Sequence, residues 1–310
     1  FGINFIIGAA LRAAGDAWTP LWIGVGMNIV NVAALYVLVP GEFGAPAMGA
    51  PGAAIAAGIS FALGGVVMVL MWLRQLFVVR YISNKWYRRE RFMRLLDVGY
   101  PAAAEMMVFQ VGFVVFFMLV GRYYGTEAFA AYGVGGMILS LCMVVGFGFS
   151  IAGSTLVGQH LGAEDFDGAV KAGWSSMGYA AVAMGSIGWT MAYFAEELAR
   201  YFVGDDPLTV ELTTAMVTIM GISTPLLAAE FAIGGALRGA GDTRFPLIAT
   251  IIGLLGVRVT LAAIFTFAGM PVIWVYATMV GDYFVKASML LWRFHSGRWK
   301  RVLTNEALTV

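Results

Sequence analysis

Long apolar segments alternate with short polar breaks along almost the whole chain. Eight of these segments hold 20 or more residues with few charges, the length that an α-helix needs to cross the ~30 Å hydrocarbon core of a bilayer. None alternates polar with apolar positions as the ~10-residue strands of a membrane barrel do. The pattern predicts membrane-spanning helices over residues 20–39, 52–73, 98–119, 129–156, 172–195, 212–237, 245–267 and 272–291.

A shorter apolar run precedes them. Residues 1–11 are mostly apolar, and as a helix they measure ~16 Å, about half a bilayer. The chain opens on Phe1 rather than Met, and the run has neither the charged region nor the cleavage site of a signal peptide. We therefore expect residues 1–11 to be the last part of a membrane helix whose beginning, with everything before it, is absent.

Composition agrees with a polytopic membrane protein. Hydrophobic residues are 60% of the chain and charged residues only 12%, about half of the ~25% typical of soluble proteins. The net charge of +1 gives no basic excess for binding nucleic acid. Cys142 is the single cysteine, which excludes an intramolecular disulfide and a cysteine-based zinc site.

Lysine and arginine predict the orientation. If the segments alternate across the membrane, 15 of the 19 Lys and Arg residues fall on the face that carries Arg12, and only Arg122 and Arg200 fall on the other. Positive residues concentrate in cytoplasmic loops. We therefore expect a multi-pass protein of the inner or plasma membrane with its C-terminus in the cytoplasm.

The longest polar break predicts the domain boundary. It carries a dense run of positive charge between residues 80 and 97. We expect residues 1–79 to be the last part of an N-terminal bundle, 80–97 a basic cytoplasmic linker, 98–293 a six-helix C-terminal bundle and 294–310 a cytoplasmic tail.

One motif occurs twice. Residues 8–21 read GAALRAAGDAWTPL and residues 234–247 read GGALRGAGDTRFPL, so nine of fourteen positions match at an offset of 226. Six predicted spans separate the copies, an even number, so both lie on the same face with the same orientation. This predicts a parallel repeat of about six helices, and hence two pseudo-symmetric six-helix bundles.

Each copy is expected to form a tight corner between two helices. A glycine would end the first helix in the left-handed conformation, an aspartate would cap the second, and a proline would lie in its first turn. The corner residues are Arg12, Gly15, Asp16 and Pro20 in the first copy, and Arg238, Gly241, Asp242 and Pro246 in the second.

These motifs resemble those of the multidrug and toxic compound extrusion (MATE) transporters. The LRxxGDxxxP corners are similar to that family's, as are LVGQHLGA at 156–163 with Ala169, and Gly99-Tyr-Pro101 with Glu105. The resemblance implies twelve helices in two six-helix bundles, of which the first three and most of the fourth are missing here. It also implies antiport of organic, cationic compounds against Na⁺ or H⁺, without a cofactor. We expect a monomer whose partners are small organic molecules and membrane lipid.

Ionisable side chains inside spans mark candidate coupling sites, because each costs roughly 2.5–3.5 kcal/mol on insertion scales. Glu105, Glu230 and Asp282 are the candidate carboxylates for binding a proton or Na⁺. Asp282 is also expected to form a structural ion pair, either with Lys286 four residues later on the same helix face or with Arg258.

Two prolines and three amides add to this set. Pro101 precedes Glu105, and Pro225 precedes Glu230 on a helix that we expect it to break near mid-membrane. The secondary candidates for polar groups in a substrate cavity are Gln110, Asn28 and Asn31.

Other functions remain open at this stage. A flippase of lipid-linked saccharides would require more Arg and Lys facing a cavity than the one or two available. A fragment of this extent is expected to be inactive in transport by itself, and it could act as a regulatory membrane protein. An enzyme is not expected, since His160 and His295 show no metal-ligand spacing and no catalytic cluster is evident.

Overall fold

The computed structural model describes residues 2–79, 89–204 and 206–300, and in these residues the chain is helical and contains no strand. The chain divides into two compact units, Phe1–Arg88 and Arg89–Val310. The predicted linker lies partly outside the described residues, and its residues 89–97 are the first turns of a long helix. Of the predicted tail, residues 301–310 also lie outside them.

The first unit contains three α-helices and a short turn of 3₁₀-helix at Glu42–Gly44. The second and third helices pack together, and Asn4 of the first donates a hydrogen bond to the carbonyl oxygen of Phe61 on the third, at 3.1 Å. Most apolar side chains of the second helix face outward, as expected of a surface in contact with lipid. The helices are α1 (Gly2–Ala13), α2 (Trp18–Leu38) and α3 (Ala50–Leu73).

The second unit is a bundle in which α8 is central, since it packs against α5, α6 and α11. Its next-to-last span is not a regular α-helix, because a π-helical segment, Ile251–Val259, joins α9 to α10. The helices are α4 (Arg89–Tyr123), α5 (Gly125–Gly162), α6 (Phe166–Tyr193), α7 (Ala195–Val203), α8 (Pro207–Gly239), α9 (Arg244–Thr250), α10 (Thr260–Phe267) and α11 (Val272–His295).

Six of the described helices are long and apolar enough to cross a membrane. All eight segments predicted as spans are helical, but α6 and α11 fall outside this group. With 28 and 24 residues they are long enough. However, α6 is rich in Gly and Ser, and α11 carries Asp282 and Lys286, whose side chains are 0% and 1% exposed. Mean hydropathy does not distinguish a charge facing protein from one facing lipid.

Helix α7 was not expected from the sequence, which placed residues 196–203 in a loop. This nine-residue helix carries Glu196, Glu197 and Arg200. Glu196 and Arg200 pair across one turn at 2.8 Å, with more than half of each side chain exposed. A helix this short and charged has no hydropathy signal.

The two repeated corners share a backbone but differ in their aspartates. Gly15 and Gly241 have φ of 92° and 80°. After each glycine, an aspartate N–H donates at 2.9 Å to a carbonyl of the preceding helix, as in the Schellman motif. Asp16 then caps α2, accepting from the N–H of Thr19 at 3.0 Å. The same expectation is wrong for Asp242, whose carboxylate accepts from Arg293 Nε of α11 at 2.7 Å.

Small residues let α5 and α8 come into close contact. A Cβ at Gly235 would collide with the backbone of Ser150, and one at Gly239 with the backbone of Ser154. Glycines four residues apart form such a surface on one face of a helix. The contact places Ser150 beside the last turn of α8, which carries Arg238.

Helix α8 runs unbroken through Pro225, so the predicted break is wrong. Proline cannot donate to the carbonyl four residues earlier, here that of Gly221. The hydroxyl of Thr224 donates to this carbonyl oxygen at 2.7 Å instead. The helix therefore keeps its course and presents Glu230 from a regular turn.

The π-helical segment brings α11 close on one side and α4 on the other. Gly253 lies against Asp282 and Lys286, where a Cβ would collide with both side chains, and Gly112 of α4 leaves room for Leu254. Arg258, at the far end of the segment, is buried. π-helical turns inside α-helices are frequent at functional sites.

We expect Gly235→Ala to lower the free energy of unfolding of the second unit by about 1–3 kcal/mol, because the added methyl group must push α5 away from α8. Thermal unfolding in detergent micelles measures the effect. Gly178→Ala is the matched control, since open space surrounds Gly178 in α6, and alanine there is expected to be neutral or stabilising by up to ~1 kcal/mol. Equal stability of the two variants would contradict the close contact.

Candidate functional site

A cavity of about 160 Å³ lies inside the second unit, between α4, α5, α8, α9 and α11. This volume lies below the ~300 Å³ at which drug-sized pockets begin. Its size suits a hydrated small ion. The lining residues are Glu105, Met106, Phe109, Met143, Phe147, Glu230, Phe231, Gly234, Arg238, Pro246, Thr250 and Leu290.

One wall of the cavity is an ion pair that joins α4 to the corner motif. Arg238 Nη1 donates to both carboxylate oxygens of Glu105, at 3.0 and 3.1 Å. The other terminal nitrogen of Arg238 donates to Ser150 Oγ at 3.2 Å, and Thr250 Oγ1 lies 3.5 Å from Glu105 Oε1. The motif arginine therefore both holds the helices together and neutralises a carboxylate at the cavity.

The other wall begins a chain of alternating charges. Lys286 Nζ donates to Glu230 Oε1 at 2.8 Å and lies 3.3 Å from Asp282 Oδ1. Arg258 Nη2 lies 2.6 Å from Asp282 Oδ2. The chain begins at the cavity with Glu230 of α8. It continues through Lys286 and Asp282 of α11 and ends at Arg258 of the π-helical segment.

These four charges stabilise one another because water is largely excluded. The side chains of Lys286, Asp282 and Arg258 are 1%, 0% and 4% exposed, and only that of Glu230, at 20%, reaches the cavity. A charge buried so deeply requires a close partner of opposite sign. Tyr283 adds to this, with its ring 5.0 Å from the Arg258 guanidinium and 5.3 Å from the Lys286 ammonium.

Glu230 keeps one unused acceptor. Its second oxygen, Oε2, is buried and has no hydrogen-bond partner within the described part of the chain. An unsatisfied buried carboxylate oxygen is costly unless a proton or a cation completes it. Glu230 is thus a natural position for a small cation entering the cavity.

The structure brings some of the predicted residues together and separates others. Glu105 and Glu230 line the same cavity, and Asp282 lies behind it, linked through Lys286. Gln110 is exposed on α4 and does not line this cavity.

The amides Asn28 and Asn31 lie in the first unit, not in this site. Asn28 is exposed and donates to the carbonyl oxygen of Gly24 at 2.9 Å. Asn31 Oδ1 is buried and has no hydrogen-bond partner among the described residues. These residues also contain no group of three His, Cys, Asp or Glu side chains placed to hold a metal ion.

Sequence reasoning missed the partner of Glu105. Arg238 was interpreted only as a corner residue, because an arginine at the end of a membrane helix usually extends to the interface. It also missed Ser150 and the aromatic lining, which have no signal in a chain with 22 Phe.

The internal repeat allows Glu230 to be compared with the corresponding residue of the first unit. At the offset of 226, the residue of the first copy that corresponds to Glu230 is Asn4. In the first unit this amide on α1 donates to the carbonyl oxygen of Phe61 on α3 and to the sulfur of Met27 on α2. The corresponding place in the first hairpin is therefore occupied by an uncharged side chain.

The MatE family model matches residues 101–264, more than half of the chain. The chain belongs to the MatE family. This confirms the resemblance seen in the paired corners, and with it an all-α, multi-pass membrane protein of a transporter family. The match also contains Glu105, Glu230, Arg238 and Arg258.

Curated relatives of this MatE chain are bacterial. A probable multidrug resistance protein NorM of Thermotoga maritima is 32% identical over 99% of the chain, which covers 66% of that protein. An uncharacterized transporter, YisQ, of Bacillus subtilis is 24% identical over 96% of the chain and 67% of its own length. A multidrug resistance protein NorM of Burkholderia vietnamiensis is 26% identical over 93% of the chain and 63% of its own length. The chain thus spans about two thirds of these relatives or less.

Solved structures show the same fold. A MOP superfamily transporter from Pyrococcus furiosus superposes with a TM-score of 0.87 at 18% identity, over 96% of this chain and 66% of its own. A MATE crystal structure in complex with MaL6 superposes with a TM-score of 0.86 at 18% identity, over 96% of this chain and 67% of its own. At such identity the likeness concerns the fold alone.

We expect Arg258→Met to lower the free energy of unfolding by about 3–5 kcal/mol, because it removes the closest partner of the fully buried Asp282. Arg200→Met is the matched control, since the exposed Glu196–Arg200 pair contributes less than ~1 kcal/mol. Both are measured by thermal unfolding in detergent. If Arg258→Met is as mild as the control, the buried charges do not depend on one another.

Proposed function

We propose that the chain is the coupling part of a secondary active antiporter, which exports organic, cationic drugs or metabolites in exchange for Na⁺ or H⁺. The observation that carries this proposal is the ion-sized cavity between Glu105 and Glu230. Multidrug resistance proteins among the relatives support the substrate class. The cavity has less volume than a drug-sized pocket, so we assign it to the ion rather than to the organic substrate.

Coupling requires that the ion bind with different affinity in two conformations. In the present one both cavity carboxylates are held by internal cations, Glu105 by Arg238 and Glu230 by Lys286. A proton or Na⁺ that neutralises either carboxylate releases its internal partner and so favours a different packing of the helices. This ties ion binding to conformation without any contact between ion and substrate.

The same internal pairing argues against a flippase of lipid-linked saccharides. Such a protein needs unneutralised positive charge to hold anionic phosphates. The cations at the described cavity, Arg238 and Lys286, each lie within 3.0 Å of a carboxylate oxygen. They therefore offer an anionic headgroup no free charge.

For localisation and partners, we propose the inner or plasma membrane. The face with most Lys and Arg, and the C-terminus, would lie in the cytoplasm. The many exposed apolar side chains, among them Trp22, Ile29 and Leu141, would contact lipid. A monomer is sufficient, because the cavity is complete within one unit of one chain.

The test is export of a fluorescent organic cation from proteoliposomes under an imposed Na⁺ or H⁺ gradient. The chain is tested alone and joined to the part of the Thermotoga maritima relative that it does not match. Export driven by either gradient, in either form, supports the antiporter. Export independent of both gradients, or none from either form, contradicts it.

In the transporting form we expect Glu230→Gln and Glu105→Gln to reduce gradient-driven export at least about tenfold, equivalent to a coupling of ~1.4 kcal/mol. Glutamine keeps the size of each side chain and removes the charge that a cation binds. Glu197→Gln, on exposed α7, is the matched control and should leave export unchanged. Wild-type rate and ion dependence in both cavity variants would show that these carboxylates are structural.

A further inference from the structure

Lys286 stands between two carboxylates, and only one of them reaches the cavity. Its ammonium lies 2.8 Å from Glu230 Oε1 and 3.3 Å from Asp282 Oδ1. The side chain is 1% exposed, so it cannot exchange either partner for water. A small movement of the flexible side chain is enough to transfer the charge from one carboxylate to the other.

We propose that Lys286 is a tethered cation that competes with the transported ion for Glu230. When the cavity is empty, Lys286 neutralises Glu230. When a monovalent cation occupies the cavity, Lys286 withdraws to Asp282. This inference rests on the proposed coupling function and identifies Lys286 as the residue that sets the ion affinity of the site.

The net charge of the buried set explains why Lys286 opposes the binding of a cation at Glu230. In the buried set, Glu230 and Asp282 are matched by Lys286 and Arg258, and the sum is zero. A cation added at Glu230 leaves the set with one excess positive charge in a medium of low dielectric, which opposes binding. Without Lys286 the set is negative by one, and the same cation would restore neutrality.

Two details of the geometry support this role. Glu230 Oε2 is buried and unpartnered among the described residues, so a cation has a free oxygen to bind before Lys286 leaves the other one. Arg258 is fixed 2.6 Å from Asp282, with its guanidinium over Tyr283. Asp282 therefore keeps a cation beside it whether or not Lys286 is near, although neither of its oxygens accepts a hydrogen bond within the described residues.

The charged and titratable groups that face this pair come from four elements. Glu230 lies on α8, Asp282 and Tyr283 on α11, and Arg258 on the π-helical segment. Across the cavity, Glu105 on α4 pairs with Arg238 on α8. The charges of this second pair cancel, and Arg258 lies against Asp282, so Lys286 is the cation paired with Glu230.

The experiment measures equilibrium cation binding to the whole purified chain in detergent, by ²²Na⁺ scintillation proximity and by the shift of Tm with Na⁺, with choline keeping the ionic strength constant. Lys286→Met is expected to tighten apparent Na⁺ affinity by about 10- to 100-fold, the usual range of coupling between two sites. Asp282→Asn, which adds net positive charge, is expected to weaken it. The two substitutions are expected to shift the Na⁺ affinity in opposite directions. If one variant fails to fold, the other still tests the proposal.

Two further variants make the result specific. Arg293→Met removes an ion-paired cation from the same helix, outside the cavity, and should keep the wild-type affinity. Lys286→Met combined with Glu230→Gln should lose the gained affinity, because the competing carboxylate is gone. A second arm titrates Tm against pH without Na⁺, where a midpoint raised by Lys286→Met identifies the proton as the cation.

A Lys286→Met variant whose Na⁺ and pH midpoints both equal those of the wild type would overturn the proposal. So would tightened binding that persists without the Glu230 carboxylate. The proposed function fails differently, through absence of gradient-driven export by the wild type. If the wild type exports and Lys286→Met binds cations as the wild type does, only the role of Lys286 is rejected.

Discussion

Mutual neutralisation of buried charge is the constraint on which the second unit depends. Asp282 is inaccessible to water and lies between two cations, each from a place that the fold must bring to it. The energy of such a set depends on distance over tenths of an ångström, since none of its members can be compensated by solvent. The packing of α8, α11 and the π-helical segment is therefore fixed at the point where ion chemistry is proposed.

Close helix approach makes these short distances possible, and glycine makes the approach possible. Gly253 lets α11 lie against the π-helical segment, and Gly235 and Gly239 let α5 lie against α8. In lipid, where apolar surfaces gain little by association, contact between backbones is a main source of helix affinity. The same glycines that hold the bundle together bring Ser150 to Arg238 and Asp282 to Arg258.

Hydropathy and charge were sufficient to predict the eight long helical segments, because both follow directly from the bilayer as solvent. The repeated corners were predictable because glycine adopts the left-handed conformation of Gly15 and Gly241 at little cost, and other residue types rarely do. The partners of the charged residues were not predictable, since the 133 positions that separate Glu105 from Arg238 carry no information on distance in space. The short π-helical segment was not predictable for a different reason. A π-helix differs from an α-helix in its residues per turn, and this difference does not change the hydropathy of the span.

The two copies of the repeat separate what the fold needs from what coupling needs. Both copies have the left-handed glycine, the proline and the arginine of the corner, so these belong to the hairpin itself. Only the second has a carboxylate where the first has Asn4, and there the preceding helix meets a lysine, Lys286. A duplicated scaffold that keeps its backbone corner and differs in charge can carry an ion site in one half only. The position of Glu230 thus argues for coupling more strongly than its burial does, because burial alone would be equally consistent with a structural ion pair.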